Sequence, residues 1–540
     1  MRMIKQKYGV VYTPKSLSVF VAELLKRVSS DERIKVILDP ASGECALLGA
    51  AKDVFGDEVE YIGIDVDKEA AYNTKGLFHI IHNDTIMPQN VKKKTADYWC
   101  DKLPVVDAII ANPPWSSEKI YERAELMSAG FSLISGQYDS YVLFIELAFN
   151  ILRDGGLMAF IIPDSLFDAQ NEKLRKFLLE KTQIKVIARL GEKIFEEVNR
   201  AATVIICKKT SPESNSETTC FRLSTEDRKQ YLAGQGPLLM YFDRKKHTVY
   251  QRRFLSNSGY NFDIDTHSNE ETLLDKISSK TADLGLLFIF GRGVEISKAG
   301  KIVYCPHCSY AQGYKKQQFD AGKKACTHCG GEISITAETI RSVITQKPEE
   351  SSVLIYVGEN VHRYGISGEC YIRQDIKGIN YKNNELYNSP KLLIRKTGLG
   401  IYSAIDYSGH MTSQTVYILK YTDGNNQTPL EYYLALINSR VVYYYYLKVY
   451  GENEWKSHPY LTKKIIFTLP IRPYTGSKID LEIIGIATEL MKHYDHDLDV
   501  KLETLIMKKY GLTKEECKLI INEMNKLPDL SAVNNMKMEA

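Results

Sequence analysis

No run of apolar residues in these 540 positions approaches the length of about 18 that a membrane-crossing helix requires, so no membrane partner is expected. The opening Met1-Arg2-Met3-Ile4-Lys5-Gln6-Lys7 leads to no apolar stretch of the kind a secretory leader needs. Charge of one sign is missing too. Seventy basic residues face 67 acidic ones, a formal net charge of +3, so the molecule as a whole offers no strong steering field. A nucleic-acid partner would need a local basic face. There is no G-x-G-x-x-G, which argues against a nicotinamide dinucleotide, and no internal repeat. Ten cysteines suggest no disulfide framework, because four fall in a metal-binding spacing and the other six are scattered. A reducing cytoplasm is the expected location. With 44% hydrophobic and 25% charged residues the composition is that of a globular protein, and the length implies about two to four domains.

Against that background one tetrapeptide stands out. Asn112-Pro113-Pro114-Trp115 closes the apolar run Val105-Val106-Asp107-Ala108-Ile109-Ile110-Ala111, which reads as a buried parallel strand. Open α/β sheets bind ligands in the loops at such strand ends. The tetrapeptide offers a side-chain amide oxygen, prolines that hold a carbonyl in place and a flat aromatic face. Those parts suit the binding of a planar amine: accepting its hydrogens pushes electron density back onto nitrogen as it attacks an electrophilic methyl group. The plainer reading is a proline-terminated strand followed by a chance aromatic.

Earlier residues supply a pocket. Lys35-Val36-Ile37-Leu38-Asp39 is a short strand running into Pro40-Ala41-Ser42-Gly43-Glu44, and a helix is expected from about Ala46 to Phe55. Small residues at that junction let a ligand approach the backbone, and the helix start offers N–H groups. Glu60-Tyr61-Ile62-Gly63-Ile64-Asp65 ends in an acid placed to bind ribose hydroxyls, a logic shared by dinucleotide folds. His79-Ile80-Ile81-His82-Asn83-Asp84 ends in another, suited to an adenine amine or, equally, to capping a helix at Thr85. Further strands are expected at Leu157–Pro163, Ile184–Ala188 and Ala202–Ile206, with a helix over Tyr141–Arg153 capped by Gly155-Gly156. Alternating strands and helices over some 200 residues predict a doubly wound, Rossmann-like parallel sheet.

The order Tyr12-Thr13-Pro14, Asp39-Pro40-Ala41-Ser42-Gly43, Asp65, Asp84, Asn112-Pro113-Pro114-Trp115 resembles the amino-directed DNA methyltransferases that use S-adenosylmethionine, in their gamma arrangement. The likeness spans roughly residues 8–210 and, more loosely, 280–475. It implies that Tyr12, Thr13 and Pro14 border the cofactor's methionine end, that Asp39, Ala41 and Gly43 form its loop, and that Asp65 and Asp84 hold ribose and adenine. Asn112, in contact with the cofactor, and the Pro113 carbonyl would accept the target amine's hydrogens, with Pro114 stiffening the loop and Trp115 stacking on an extruded base. Phe195 resembles the family's second stacking aromatic, or is an ordinary core phenylalanine. Where the family usually carries a second glycine this chain has Cys45, expected to enter the helix without strain and to narrow the room beside the cofactor.

The second half carries Cys305-Pro306-His307-Cys308 and, seventeen residues on, Cys326-Thr327-His328-Cys329. Two such knuckles match a four-thiolate structural zinc ribbon, with His307 and His328 as alternative ligands. Lys315, Lys316 and neighbouring aromatics give its tip a basic face for phosphates, or a solvated loop. The surrounding strand-rich segments, including Gly291–Glu295, Lys391–Gly398, Ser413–Ile418 and Tyr432–Ser439, are similar to target recognition domains of restriction–modification enzymes. On that likeness Arg292, Arg395 and Lys396 would face DNA, and Tyr443 to Tyr446 would pack a helix. The expected organisation is a methyltransferase domain over 1–235, a mixed, strand-rich recognition domain over 236–475 with the ribbon at 305–329, and a helical tail over 476–540. The implied activity is adenine-N6 methylation of double-stranded DNA at a specific site, in restriction–modification or phage defence. A separate endonuclease or defence subunit would then act as partner, because only eleven residues precede Tyr12 and the tail shows no dependable nuclease pattern. The alternatives are a DNA-binding subunit whose methyltransferase half is inactive, with Cys45 as the lesion, and a protein-glutamine methyltransferase.

Overall fold

Alternate residues along the central strands go to opposite cores, as expected of strands buried on both faces. Leu38, Ile109, Met158 and Phe160 join one apolar cluster, while Ile37, Ala108, Ile110, Leu157 and Ala159 join the other. The computed structural model describes residues 13–29, 33–67, 76–89, 93–115, 121–134, 138–195, 200–267, 270–296, 300–422, 428–450, 460–531 and 533–538. It divides into two compact units, Met1–Glu271 with Lys448–Ser457, and Thr272–Leu447 with His458–Ala540. Among the described residues no helix is long and apolar enough to cross a membrane.

The first unit is built on nine strands: β1 (Val36–Asp39), β2 (Glu60–Asp65), β3 (His79–His82), β4 (Val106–Ala111), β5 (Leu152–Pro163), β6 (Gln183–Gly191), β7 (Ala202–Lys208), β8 (Glu217–Arg222) and β9 (His247–Tyr250). Their order is β3-β2-β1-β4-β5-β7-β6-β8-β9. The first five in that order are parallel neighbours. β7 then runs antiparallel between β5 and β6. The sheet is therefore mixed, not wholly parallel as the sequence suggested. Residues 192–201 are too few for the dozen-residue crossover a parallel β6–β7 pair would need. The sheet also continues past residue 235, because β9 pairs with β8.

Helix α1 (Lys15–Val28) and α2 (Ala46–Phe55) cover one face of this sheet, their buried residues sharing the Ile37 and Ala108 cluster. Helix α3 (Tyr141–Ile151) packs into the other. It stops at Ile151, short of the expected glycine cap. Gly155 and Gly156 lie inside β5, exchanging backbone hydrogen bonds with Lys209. A Cβ on Gly156 would sit 2.9 Å from the Asp107 carbonyl, so its bareness serves strand packing.

The second unit holds two four-stranded sheets and smaller ribbons. One sheet carries strands Phe288–Arg292, Val416–Tyr421, Lys391–Arg395 and Ser403–Asp406 side by side. Tyr432–Ser439, grouped with the strands from sequence, falls instead mostly in a helix, Leu430–Ile437. Tyr443, Tyr444 and Tyr446 do pack a helix, Arg440–Tyr450, as expected. Helices Lys478–Lys492, His496–Lys509 and Lys514–Asn525 follow. They are no separate tail. Asp499 pairs with Arg363 at 2.9 Å and Arg440 at 3.0 Å, all three buried within this unit.

Candidate active site

β1 and its neighbours β2 and β4 meet where strand order reverses, the place an open α/β sheet leaves a crevice at its carboxyl ends. The crevice here has a void of about 990 Å³, its open mouth included. Thr13, Asp39, Ala41, Gly43, Asp65, Asp84, Asn112 and Pro114 all line it. Residues up to 101 positions apart in sequence are thus brought to one wall by the sheet. Tyr12 lies outside the described residues. Pro14, Pro113, Trp115 and Phe195 are not among the lining groups. Pro14 caps α1, its carbonyl accepting from the backbone of Leu17 and Ser18.

The turn after β1 is braced by carboxylates. Asp39 is buried and accepts the Ala41 N–H at 3.0 Å, and burial pushes its carboxyl up to about 8. Asp65 accepts N–H groups from Gly43 at 2.7 Å and Asp67 at 2.8 Å, joining the ends of β1 and β2. Burial raises its pKa, with those two N–H bonds opposing. Gly43 has φ of +47°, which a glycine adopts at little cost.

Cys45 is different from expectation. As the N-cap of α2 it has φ of +61°, a left-handed conformation that is strained for a side-chain-bearing residue. A glycine there would carry no such strain. Its side chain, 3% exposed, joins the apolar cluster and does not line the crevice, so it takes no room from a ligand. Burial lifts its thiol to about 12, which leaves it protonated and a poor nucleophile.

No helix starts at Thr85, so the capping expected of Asp84 is met only by a turn, and Asp84 takes its place in the crevice wall. Its Oδ1 accepts from the backbone of Ile86 and Met87, as a turn cap does, and both oxygens accept from the Tyr121 hydroxyl at 2.9 and 2.8 Å. Tyr121 also lines the crevice. Sequence reasoning missed it, since a lone tyrosine in a polar stretch gives no signal.

At the end of β4, Asn112 Nδ2 donates to Thr13 Oγ1 at 3.0 Å, which fixes the orientation of the amide. The Pro114 carbonyl accepts from Ser140, and the Trp115 carbonyl accepts from Arg200 Nη1 at 2.6 Å. The Trp115 ring is only 5% exposed. It meets Phe195 edge to face, centroids 5.1 Å apart at 83°, and its indole N–H is buried with no hydrogen-bond partner among the described residues. The two aromatics expected to sandwich a base are therefore together, with each other as neighbour.

In the second unit the four cysteine sulfurs lie within 4.8 Å of one another, Cys305 to Cys329 at 3.5 Å and Cys308 to Cys326 at 3.8 Å. A tetrahedron of thiolates around zinc, with bonds of about 2.3 Å, has edges of about 3.8 Å, so the donor set fits. Gln312 Nε2 and the His328 N–H both point to Cys326 Sγ, at 3.1 and 3.4 Å. The His328 ring stacks on Tyr310 instead of joining the cluster.

Arg292 ends one strand flanking Val416–Tyr421, Lys396 stands just past the other, Lys391–Arg395, and the two share a neighbour in Tyr417. Arg292 is its register partner, and the Lys396 ammonium lies 5.8 Å from its ring. Arg292 also reaches Gln414 at 3.3 Å and Glu295 at 3.5 Å. Arg395 turns to Tyr402 and the Thr397 carbonyl. Lys463, which the sequence reading passed over, sits 5.5 Å above Phe290, whose ring in turn touches Tyr417. Lys315 and Lys316 are exposed on the cysteine ribbon and are not part of that sheet.

Residues 2–239 match the family model described as N-6 DNA methylase. Residues 353–471 match that of the TaqI-like C-terminal specificity domain, and the four cysteines lie between the two matches. The chain is 31% identical over 216 residues to the type II methyltransferase M.BanIII of Aneurinibacillus aneurinilyticus, covering 35% of this chain and 37% of that one. It is 24% identical over 214 residues to the type II methyltransferase M.AccI of Acinetobacter calcoaceticus, 38% and 37% covered. To the methylase subunit of the type I restriction enzyme MjaVII of Methanocaldococcus jannaschii it is 27% identical over 242 residues, 40% and 39% covered. The chain spans less than two fifths of the length of each of these curated relatives. The crevice lies wholly within the methylase match.

Proposed function

We propose that the chain is a site-specific DNA methyltransferase acting on the N6 amine of an adenine turned out of the duplex, with S-adenosylmethionine as methyl donor. The observation that carries this reading is the single crevice in which Asp39, Asp65 and Asp84 share a wall with Asn112 and Pro114. The methylase match over 2–239 and the names of the relatives support it.

The carboxylates fit the donor's nucleoside. Asp65, already holding two N–H groups, has lone pairs left for ribose hydroxyls, and Asp84 beside Tyr121 accepts from an adenine amine. Ala41 and Gly43 keep the turn bare, and Thr13 borders the methionine end while steadying Asn112. When bound, S-adenosylmethionine supplies an electrophilic methyl group. The chain's own residues then act on the acceptor. Asn112 Oδ1 and the Pro113 carbonyl accept the amine's hydrogens and keep density on nitrogen, and Trp115 and Phe195 stack on the base once their mutual contact opens. No covalent enzyme intermediate is needed, which suits a chain whose nearby thiol stays protonated.

Sequence choice belongs to the second unit, through Arg292, Arg395, Lys396, Lys463 and the ribbon lysines Lys315 and Lys316. Phosphate contacts by such groups make binding fall steeply with salt. The four thiolates hold a structural zinc with no open position. Metal analysis of protein purified without chelator is expected to give one zinc per chain, with Cys326→Ser losing it and unfolding the ribbon; a chain free of zinc would refute the site. The proposed setting is restriction–modification or phage defence, with a separate endonuclease or defence subunit as partner; the relatives' names support the restriction–modification part.

The reading is tested by incubating the chain with duplex DNA and methyl-labelled S-adenosylmethionine, then separating nucleosides. Label in N6-methyl-2′-deoxyadenosine is expected. Label confined to protein, or to cytosine, would refute it.

A further inference from the structure

Asp139, Ser165 and Arg200 come from three separate stretches of the first unit and meet behind the Asn112–Trp115 loop. We propose that Arg200, held by Asp139, is a positioning residue that fixes the carbonyl side of this loop for methyl transfer; the inference rests on the methyltransferase reading above.

The loop leaves β4 as irregular backbone, so its carbonyls need partners outside regular structure. Side chains supply them in turn. Thr13 takes the Asn112 amide, Ser140 donates to the Pro114 carbonyl, and Arg200 Nη1 donates to the Trp115 carbonyl at 2.6 Å. The other arm of the guanidinium, Nη2, donates to Asp139 Oδ2 at 2.9 Å, and the Ser165 hydroxyl donates to that same oxygen at 2.7 Å. The Asp139 side chain is 4% exposed and that of Arg200 37%, so the pair is anchored at its acidic end.

The position of the pair is what gives it a role. Ser165 follows β5, and Arg200 stands two residues before β7. The fork therefore ties the loop after β4, which bears the proposed acceptor groups, to Asp139 ahead of α3 and through it to Ser165 after β5, while Arg200 itself belongs to the β6–β7 connection that carries Phe195. Pro113, whose carbonyl is assigned to the target amine, lies between the two fixed points Asn112 and Pro114. A guanidinium serves two acceptors on different loops with a rigid fork, which a lysine ammonium does not reproduce. Arg200 does not line the crevice, so it acts through the loop and not on a ligand.

The test uses the full chain with Arg200→Ala, Arg200→Lys and Asp139→Asn. Arg200→Ala is expected to lower the single-turnover methylation rate about tenfold to a hundredfold, with S-adenosylmethionine affinity changed less than about threefold, because displacement of a reacting group by about 1 Å costs rate and not cofactor contacts. Arg200→Lys should recover part of the rate, and Asp139→Asn should fall between. A second readout does not depend on activity. With 5-fluorotryptophan incorporated, the Trp115 fluorine resonance, assigned by Trp115→Phe, should shift in Arg200→Ala and Asp139→Asn while that of Trp99 stays in place. An unmoved Trp115 resonance overturns the proposal whatever the activity. So does an unchanged rate, or a rate that falls only in step with cofactor affinity and melting temperature. A wild-type chain that methylates no DNA would instead sink the methyltransferase reading, and the fluorine shift alone would then judge whether Arg200 sets the loop.

Discussion

The two ends of the crevice in the first unit differ in readiness. At one end Asp39 and Asp65 are already braced by backbone N–H groups, and the turn between them is open enough to line a void. The other end is set by Asn112 and Pro114, and just past them, outside the lining, Trp115 and Phe195 fill each other's space, 5% and 2% exposed. The first end rests on strand termini, whose positions the sheet sets. The second rests on loops, which fix side chains less firmly. On the proposed function, a site assembled this way would take a small cofactor with little rearrangement, whereas a base would have to separate two packed rings. That contrast assigns affinity for the cofactor to one set of residues and turnover to another.

The sharpest way to break the contrast is at Asn112. Asn112→Ala should cost about 2 to 4 kcal/mol of transition-state stabilisation, a rate loss of roughly thirtyfold to a thousandfold in single-turnover assays. Most of the wild-type rate remaining would remove the amide from the chemistry. Asp65→Ala probes the opposite end. Loss of charge-assisted bonds to two hydroxyls is worth about 1.5 to 3 kcal/mol, so cofactor affinity should drop about tenfold to a hundredfold by calorimetry, with the rate at saturating cofactor largely kept. Trp115→Phe keeps most of the buried apolar volume and should slow methylation by no more than about tenfold, equally at every site, because stacking is sequence-tolerant. Sequencing of modified bases checks this, and a new target motif in the variant would contradict the division of labour. The smallest effect belongs to Cys45→Gly. Release from the left-handed strain, about 1 to 2 kcal/mol, is offset by loss of the buried thiol and by the freer unfolded chain. Stability should move by less than about 1 kcal/mol in denaturant melts, with cofactor affinity unchanged; a large gain or loss of affinity would place the thiol beside the cofactor after all.

Much of this was legible in the residues themselves. The strands β1, β2, β4 and β5 show as apolar runs because both their faces are buried, and Asp39, Asp65 and Asn112 stand at or just past the carboxyl ends of β1, β2 and β4, where they interrupt the runs. What escaped depends on tertiary partners. That β7 runs antiparallel is decided by which strand it pairs with, and a period-two pattern carries no direction. Gly155-Gly156 looked like a helix stop because glycine serves both caps and crowded strands. The conformation of Cys45 is invisible in its identity, since cysteine gives no signal of a positive φ. The burial of Trp115, the reach of Tyr121 to Asp84 and the Arg200–Asp139 pair all join positions tens of residues apart, with no local pattern to announce them. Arg292 and Lys396, expected to face DNA, meet near Tyr417, while Lys463 enters from the segment that begins at Tyr460, whose pairing with Thr397 only the fold reveals.

The separation of the two ends is tested most directly by calorimetric titration of S-adenosylmethionine into DNA-free Asn112→Ala protein beside the wild type. The account predicts dissociation constants within about threefold of each other, since Asn112 is held by Thr13 and the cofactor by the strand-end carboxylates. Loss of binding in the variant would contradict it, because Asn112 would then belong to the cofactor's end of the crevice and the transfer step would lack its assigned acceptor.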